Sequence, residues 1–233
     1  MGGGISRLFN TRDSRWKEIE CIKGETATFG AGCYWGTEHF FAKHFRESLL
    51  ATSVGFMGGK GDKILLILTR TFNVDTCATC TGAYKNPTYQ EVCTGESGHI
   101  EVLQIKFDPV KVSYLDLVKY FFTFHDPTTR NRQDPDVGPQ YHSAIFYHSE
   151  AQKATAEDVI KRLQQMISKE QLTYHLPHHR YCERHICTTV GKATHFYAAQ
   201  KEHQQYLERN LISYCSHKKR FIWSSKNQQA FEA

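Results

Sequence analysis

The 233-residue chain has no apolar run long enough to cross a bilayer. The longest, Ile64-Leu65-Leu66-Ile67-Leu68, is far short of the roughly 20 residues required. Its first residues carry no apolar core of the kind a secretory signal has, so export is not expected. A basic stripe is also missing. The formal charge of +5 is modest and its lysines and arginines are scattered, apart from Lys218-Lys219-Arg220, which argues against nucleic-acid binding. There is no internal repeat. Cys77-Ala78-Thr79-Cys80 has no second Cys/His pair at ligand spacing, which counts against a zinc module built on Cys77, Cys80, His178 and His179. What the chain does have is eight cysteines without secretory features, the pattern of a reducing compartment in which thiols are used as thiols.

The length supports one domain with a sizeable core. Residues 1–24 read as a flexible N-terminal arm, 25–215 as the domain and 216–233 as a C-terminal tail. Met1-Gly2-Gly3-Gly4-Ile5-Ser6 fits the N-myristoylation pattern at Gly2, and Arg7, Arg12, Arg15 and Lys17 supply the second, electrostatic signal that lasting membrane contact needs. The expectation is a cytoplasmic protein, membrane-associated through Gly2 if acylated, with a mitochondrial location left open.

Along the chain, a strand, a glycine turn and a helix are predicted over 26–47, and a strand runs into a glycine-rich loop over 52–59. His99–Phe107 reads as a strand with Glu101, Leu103, Ile105 and Phe107 on one face. Ser113 and Asp116 form a capping box for a helix carrying Leu117, Val118, Phe121 and Phe122. A polar loop over 129–140 leads to a strand over 141–148. Ser149 then caps a long helix whose apolar face is Ala151, Ala154, Ile160, Leu163 and Ile167. A strand is predicted over 180–190, with Cys182 and Cys187 in structural roles, and a short helical region over 195–209. Strands separated by helices point to an α+β or mixed α/β domain.

Two features carry chemistry. Cys33 follows Gly30-Ala31-Gly32 and precedes a helix, so unpaired N–H groups and the helix dipole should stabilise its thiolate. Tyr34 and Trp35 beside it offer an apolar wall. Glu101, in phase with three apolar residues, implies a carboxyl turned toward the core, where desolvation raises its pKa.

The ordered motifs then resemble one family. Gly32-Cys33-Tyr34-Trp35-Gly36 with Glu38 is followed by Asn86-Pro87-Thr88-Tyr89, Glu91-Val92-Cys93-Thr94-Gly95 and Gly98-His99-Ile100-Glu101. His125-Asp126-Pro127-Thr128, Asn131-Arg132-Gln133, Asp136-Val137-Gly138, Gln140-Tyr141 and His203-Gln204-Gln205-Tyr206 come next. Over about 26–59 and 84–215 this resembles peptide methionine sulfoxide reductase A. The resemblance implies an α+β, single-domain, two-layer mixed sheet with flanking helices and a ferredoxin-like core. It implies thiol-dependent reduction of the S-epimer of methionine sulfoxide, free or in proteins, by a monomer that binds no cofactor and is recycled by thioredoxin.

Residue by residue, Cys33 matches the nucleophile and Glu101 the acid. Tyr89 and Tyr141 match the donors to the sulfoxide oxygen. Asp136 matches a second carboxylate near the substrate, and Tyr34 with Trp35 the enclosure of the S-methyl group. Cys215 stands where a recycling cysteine belongs, and Cys93 matches a packed cysteine. The chain departs from the family in an insert of about two dozen residues, 60–83, and at Pro139 and His142, where Thr and Arg are usual. If the insert spoiled the pocket, the fold would serve as a binding protein without turnover.

Overall fold

The computed structural model describes residues 19, 21–59 and 86–233. Gly2, most of the N-terminal arm, the insert 60–83 and its Cys77 and Cys80 lie outside the described residues.

Six strands form the main sheet. In chain order they are β1 (Glu25–Ala31), β2 (Leu49–Met57), β3 (Ile100–Phe107), β6 (Ser143–Tyr147), β7 (Thr189–Lys192) and β8 (Tyr197–Ala198). Across the sheet the order is β7-β6-β1-β3-β2-β8, antiparallel except for the β6–β7 pair. The polar loop after residue 128 holds a separate two-residue hairpin, β4 (Arg132–Gln133) with β5 (Asp136–Val137).

Side-chain alternation decides which face each strand offers. Ala27, Phe29 and Ala31 from β1, Val54 and Phe56 from β2, and Leu103, Ile105 and Phe107 from β3 share the larger core. Against that face pack α1 (Tyr34–His44), α3 (Tyr114–Phe121) and α4 (Glu150–Ser168). The opposite face carries Met57, Val102, Ala144 and Phe146 and is covered by Phe196 and Ile19. Both faces of β3 are therefore buried, and a mixed sheet flanked by helices results. The centre is aromatic: Phe29 stacks on Phe41 at 5.1 Å and on Phe121 at 5.3 Å between ring centroids.

The predicted Ser113–Asp116 capping box is present, with Asp116 N donating to Ser113 Oγ at 3.1 Å and Ser113 N to Asp116 Oδ2 at 3.3 Å. Ser149 caps α4, accepting from Gln152 N at 3.2 Å. The buried face of α4 is Gln152, Ala156, Val159, Leu163, Met166 and Ile167, whereas Ala151 and Ala154 are exposed. Alanine marks a helix face weakly because its methyl gains little from burial; Val159 and Met166 set the phase.

Two further expectations change. Only Thr189–Lys192 of the stretch 180–190 and its neighbours is a strand. Over 182–187 the backbone donors go elsewhere: Cys182 N to Asp126 Oδ2 (2.8 Å), Glu183 N to Thr128 Oγ1 (3.0 Å), Ile186 N to Gln164 Oε1 (2.8 Å) and Cys187 N to Pro127 O (2.7 Å). Such side-chain acceptors compete with a sheet ladder. Helix in 195–209 is confined to a 3₁₀ turn, Lys201–His203, and α5 (Tyr206–Arg209), after the strand β8. Gln204 interrupts it. Its buried amide accepts from Val54 N (2.9 Å) and donates to Val54 O (2.8 Å), completing the edge of β2 as a neighbouring strand would.

Residues 216–233 run back over the helices. Arg220 is only 3% exposed and is paired with Asp134 at 3.1 Å and Asp126 at 3.8 Å, so the basic run 218–220 is not one surface patch. Trp223 Nε1 donates to Lys119 O at 2.9 Å. The chain ends in α6 (Ser225–Glu232), which packs on α4 and buries Phe231.

Candidate active site

The site grows from the corner where β1 becomes α1. Gly32 has φ +90°, a left-handed conformation that favours glycine, and a side chain there would run into Gln133. The turn leaves Cys33 at the N-cap of α1 with its side chain half-buried. The neighbouring strand β3 places Glu101 opposite Phe56, on the helix-facing side, where it is 1% exposed. Its Oε2 accepts a hydrogen bond from Tyr34 N at 3.0 Å, which joins the carboxyl to the first turn of α1.

Burial dominates the electrostatics of this corner. It raises the Glu101 pKa to about 8, assisted by Asp136 and opposed by the Tyr34 N–H. At neutral pH Glu101 therefore holds its proton, as its place among apolar residues predicted. For Cys33 the helix-start N–H groups of Trp35 and Gly36 do pull the thiol pKa down. Burial outweighs them, reinforced by Glu101 once it is ionised and by Asp136, and the thiol stands well above its ordinary value. The expected resting thiolate is corrected to a protonated thiol: a helix N-terminus contributes fractions of a charge, and desolvation of a whole anion is larger.

Tyr89 opens the short helix α2 (Tyr89–Cys93), held by a capping box between Thr88 and Glu91. Tyr141 ends a 3₁₀ turn, Pro139–Tyr141. Both phenols are raised in pKa, first by burial, and both feel Glu101. Asp136, on β5, accepts from Ser216 Oγ at 3.1 Å; burial raises its pKa and that hydrogen bond restrains the rise. Four distant stretches thus converge on one carboxyl, and Cys33, Tyr89, Tyr141 and Asp136 all interact with it or with each other.

The two aromatics after Cys33 do different things. Tyr34 is 1% exposed and its ring packs 5.8 Å from Phe56. Trp35 is half-buried and stacks on Tyr206 at 3.8 Å with 13° between the planes. His203 lies 5.7 Å from each of these rings and 4.7 Å from Tyr89. In the sequence His203 and Tyr206 stand out only as marks of resemblance. The histidine-to-tyrosine spacing of three was the available signal, but nothing local said that it meets Trp35. Glu38 explains how it does: Oε2 accepts from Gln205 N at 2.7 Å and Oε1 from Thr52 Oγ1 at 2.8 Å, which ties the segment to α1.

Cys215 is half-buried beside Gly36, one helical turn after Cys33. A side-chain carbon on Gly36 would stand 2.9 Å from the Cys215 sulfur and 2.1 Å from His217 Nδ1, so glycine is what lets this segment approach. Cys93, expected to be packed, is exposed, and it is hydrogen-bonded to Tyr89 at the rim. The short helix turns Val92 inward instead, which leaves the next residue, Cys93, on the outer side. Cys182 is exposed and Cys187 half-buried, neither on a strand. Among the described residues, no three His, Cys, Asp or Glu side chains stand together as a metal site.

A buried carboxyl of raised pKa is thus bonded to the first turn of the helix that Cys33 begins. The model of the peptide methionine sulfoxide reductase family matches residues 74–233, a span that includes Tyr89, Glu101, Asp136, Tyr141 and Cys215. The chain is 42% identical over 191 residues to the peptide methionine sulfoxide reductase MsrA of Methanothermobacter thermautotrophicus, covering 82% of this chain and 90% of that one. With the Thermus thermophilus protein of the same name it shares 37% over 210 residues, 90% of this chain and 94% of that one.

Among solved structures, reduced Mxr1 from Saccharomyces cerevisiae superposes with a TM-score of 0.62 at 30% identity, over 84% of this chain and 92% of that one. Methionine sulfoxide reductase A of Corynebacterium diphtheriae gives 0.58 at 30%, over 84% and 79%. The chain belongs to the peptide methionine sulfoxide reductase A family.

Proposed function

We propose that the chain reduces the S-epimer of methionine sulfoxide to methionine, with Cys33 as the nucleophile, Glu101 as the acid and thioredoxin as the final reductant. The observation that carries this is the sealed Glu101 carboxyl, protonated at neutral pH and bonded to the first turn of the helix that Cys33 begins. A sulfoxide oxygen leaves poorly unless it is protonated, and a carboxylic acid that keeps its proton at pH 7 suits that task.

In this reading the Cys33 sulfur attacks the sulfoxide sulfur as Glu101 delivers a proton to the oxygen, and the Cys33 thiol proton passes to the carboxylate that Glu101 becomes. Tyr89 and Tyr141 are neutral donors that hold the oxygen as negative charge develops, and their raised pKa values keep them protonated. Trp35, backed by Tyr206 and His203, offers a flat apolar surface to the S-methyl group, with Tyr34 as the floor. Asp136 meets the polar part of the substrate. The hydroxyl then passes to the Cys33 sulfur as its bond to the substrate sulfur and the bond between the two sulfurs break, so methionine leaves reduced and Cys33 is left oxidised as a sulfenic acid. Cys215 then closes a disulfide with it, which thioredoxin opens by thiol exchange. The closeness of Cys215 to Gly36 supports that pairing.

Burst kinetics test this reading. One equivalent of methionine should form from the S-sulfoxide without reductant, none from Cys33→Ser, and Cys215→Ser should retain the burst but lose thioredoxin-driven turnover. Turnover of the R-epimer alone overturns the assignment.

The frame β1-α1-β2-β3-α3-β6, with its strands side by side as β6-β1-β3-β2, supports a ferredoxin-like description of the core. The proposal extends to a cytoplasmic monomer that touches membranes only if Gly2 is acylated, which mass spectrometry of the native N-terminus would check.

A further inference from the structure

We propose that His217 is the proton acceptor for Cys215: as Cys215 attacks the Cys33 sulfenic acid, the His217 Nδ1 takes the thiol proton. The inference rests on the reading of Cys215 as the recycling thiol.

The tautomer of His217 follows from its partners. Its Nε2 lies 2.6 Å from Ala31 O. A carbonyl oxygen only accepts, so Nε2 carries the hydrogen and Nδ1 of the neutral ring is a lone pair. That lone pair faces the Cys215 sulfur at 3.9 Å, a long contact in which the S–H donates. Ala31 ends β1, two residues before Cys33, so one hydrogen bond registers the ring against the turn that presents the nucleophile. Phe40 and Phe124 pack against the ring at 6.1 and 5.6 Å. Both Nδ1 and the Cys215 sulfur stand where a side chain on Gly36 would be. Base, thiol and the start of α1 thus occupy one small volume.

The surrounding charges keep the base free. Burial foremost, with Arg220 from the C-terminal segment, lowers the His217 pKa to about 4, against the Ala31 carbonyl and Asp134 of the β4–β5 hairpin, which raise it. His125, four residues past the end of α3 and itself held neutral by burial with a pKa of about 3, also interacts with His217. The Cys215 thiol is raised by burial, against a hydrogen bond from the His217 backbone N–H that lowers it and with Asp136 that adds to the rise, so the net shift keeps it protonated at neutral pH. A thiol that stays protonated next to an unprotonated imidazole is an arrangement for proton transfer during attack, when the proton's loss is coupled to S–S bond formation.

The step balances without any outside reagent. The Cys215–S to Cys33–S bond forms and the Cys33 S–O bond breaks. The thiol proton passes to Nδ1 and from there to the departing hydroxide, which leaves as water. The Cys33 sulfur is reduced and the Cys215 sulfur oxidised.

The test is a single turnover of the full chain with S-methionine sulfoxide and no reductant. Methionine release is followed separately from disulfide closure, the latter by loss of dimedone-reactive sulfenic acid and of free thiols. His217→Gln keeps an N–H for Ala31 O and has no basic nitrogen. It should release methionine within about twofold of the unaltered protein and close the disulfide at least ~100-fold more slowly. Closure should be nearly flat between pH 6 and 8 in the unaltered protein. In His217→Gln it should rise about tenfold per pH unit, because Cys215 must then ionise on its own; a merely structural role would not create that slope.

Closure in His217→Gln within about twofold of normal overturns the inference. So does a tenfold-per-unit slope in the unaltered protein, a measurement that needs no variant to fold. His217→Asn, judged by the same slope, serves if the glutamine variant is unstable. Cys215→Ser separates the two layers: if it still closes a disulfide, the recycling role falls and this inference with it. If it cannot close and His217→Gln closes normally, only this inference falls.

Discussion

The corner at Cys33 and the C-terminal return that reaches it, residues 197–224, meet at one site but are built differently. The corner is made of regular structure: β1 and β3 pair in strict antiparallel register from Glu25–Phe107 to Phe29–Leu103, and α1 leaves directly from the turn. Its backbone groups are satisfied by ladder and helix, and its side chains fall on faces with fixed periods. The return has little regular structure. Side chains stand in for backbone: Gln204 pairs with Val54 as a strand would, Glu38 fixes Gln205, and Arg220 bridges Asp126 and Asp134 in the interior. Regular structure places the Cys33 thiol and the Glu101 carboxyl firmly, whereas individually anchored irregular chain can bring a second thiol and an aromatic cover from far away in sequence.

The largest effect expected on the corner is in its chemistry. Glu101→Gln keeps the shape and the acceptor for Tyr34 N but loses the proton, so kcat/KM should fall about 10²–10⁴-fold in coupled thioredoxin assays. In the unaltered protein the chemical step should decline tenfold per unit above about pH 8, as Glu101 loses its proton; an unchanged rate in Glu101→Gln would remove the acid from the corner.

The same group shapes stability. Its folded pKa of about 8 lies above its ordinary 4.5, so the folded state binds the proton more tightly than the unfolded one. That contribution is fully present below pH 4.5 and is lost as pH rises through 8, a drift on the order of 3–5 kcal/mol. Glu101→Gln should flatten it, and chemical denaturation at pH 5 and pH 8 would show whether it does.

Arg220→Ala strips the counter-charge from buried Asp126 and should lower stability by about 3–5 kcal/mol, read as a drop in Tm. If the return is anchored as described, disulfide closure should suffer more than methionine release. Equal losses in both would mean that the two regions are not separable.

Tyr206→Ala removes the stack on Trp35, about 0.5–1.5 kcal/mol, and should raise KM with little change in kcat. The smallest effect comes from Ser113→Ala. It removes the cap of α3 for about 1 kcal/mol and leaves both chemical steps intact.

The parts of the fold that were legible share one property: the cause lies within a few residues of the effect. The Ser113–Asp116 box, the Ser149 cap and the apolar phase around Glu101 were all readable, and so was the raised pKa that follows from that phase. The phase of α4 read from the sequence is wrong in part because it weighs Ala151 and Ala154 equally with Leu163 and Ile167 and passes over Val159 and Met166. The strand over 180–190 failed because its donors are claimed by Asp126, Thr128 and Gln164, residues far away in the chain. The protonation of Cys33 reversed because a helix start is a local property and burial is not.

The order of motifs was enough to name the family and to nominate Cys33, Glu101, Tyr89, Tyr141, Asp136 and Cys215, since each sits in a short pattern that survives without knowledge of its neighbours. The packing settled what no pattern contains: that Trp35 is backed by Tyr206 and His203, that Cys215 reaches Gly36, and that His217 turns a bare nitrogen toward it. Desolvation and close approach depend on which distant segments meet, and those meetings exist only once the chain has folded.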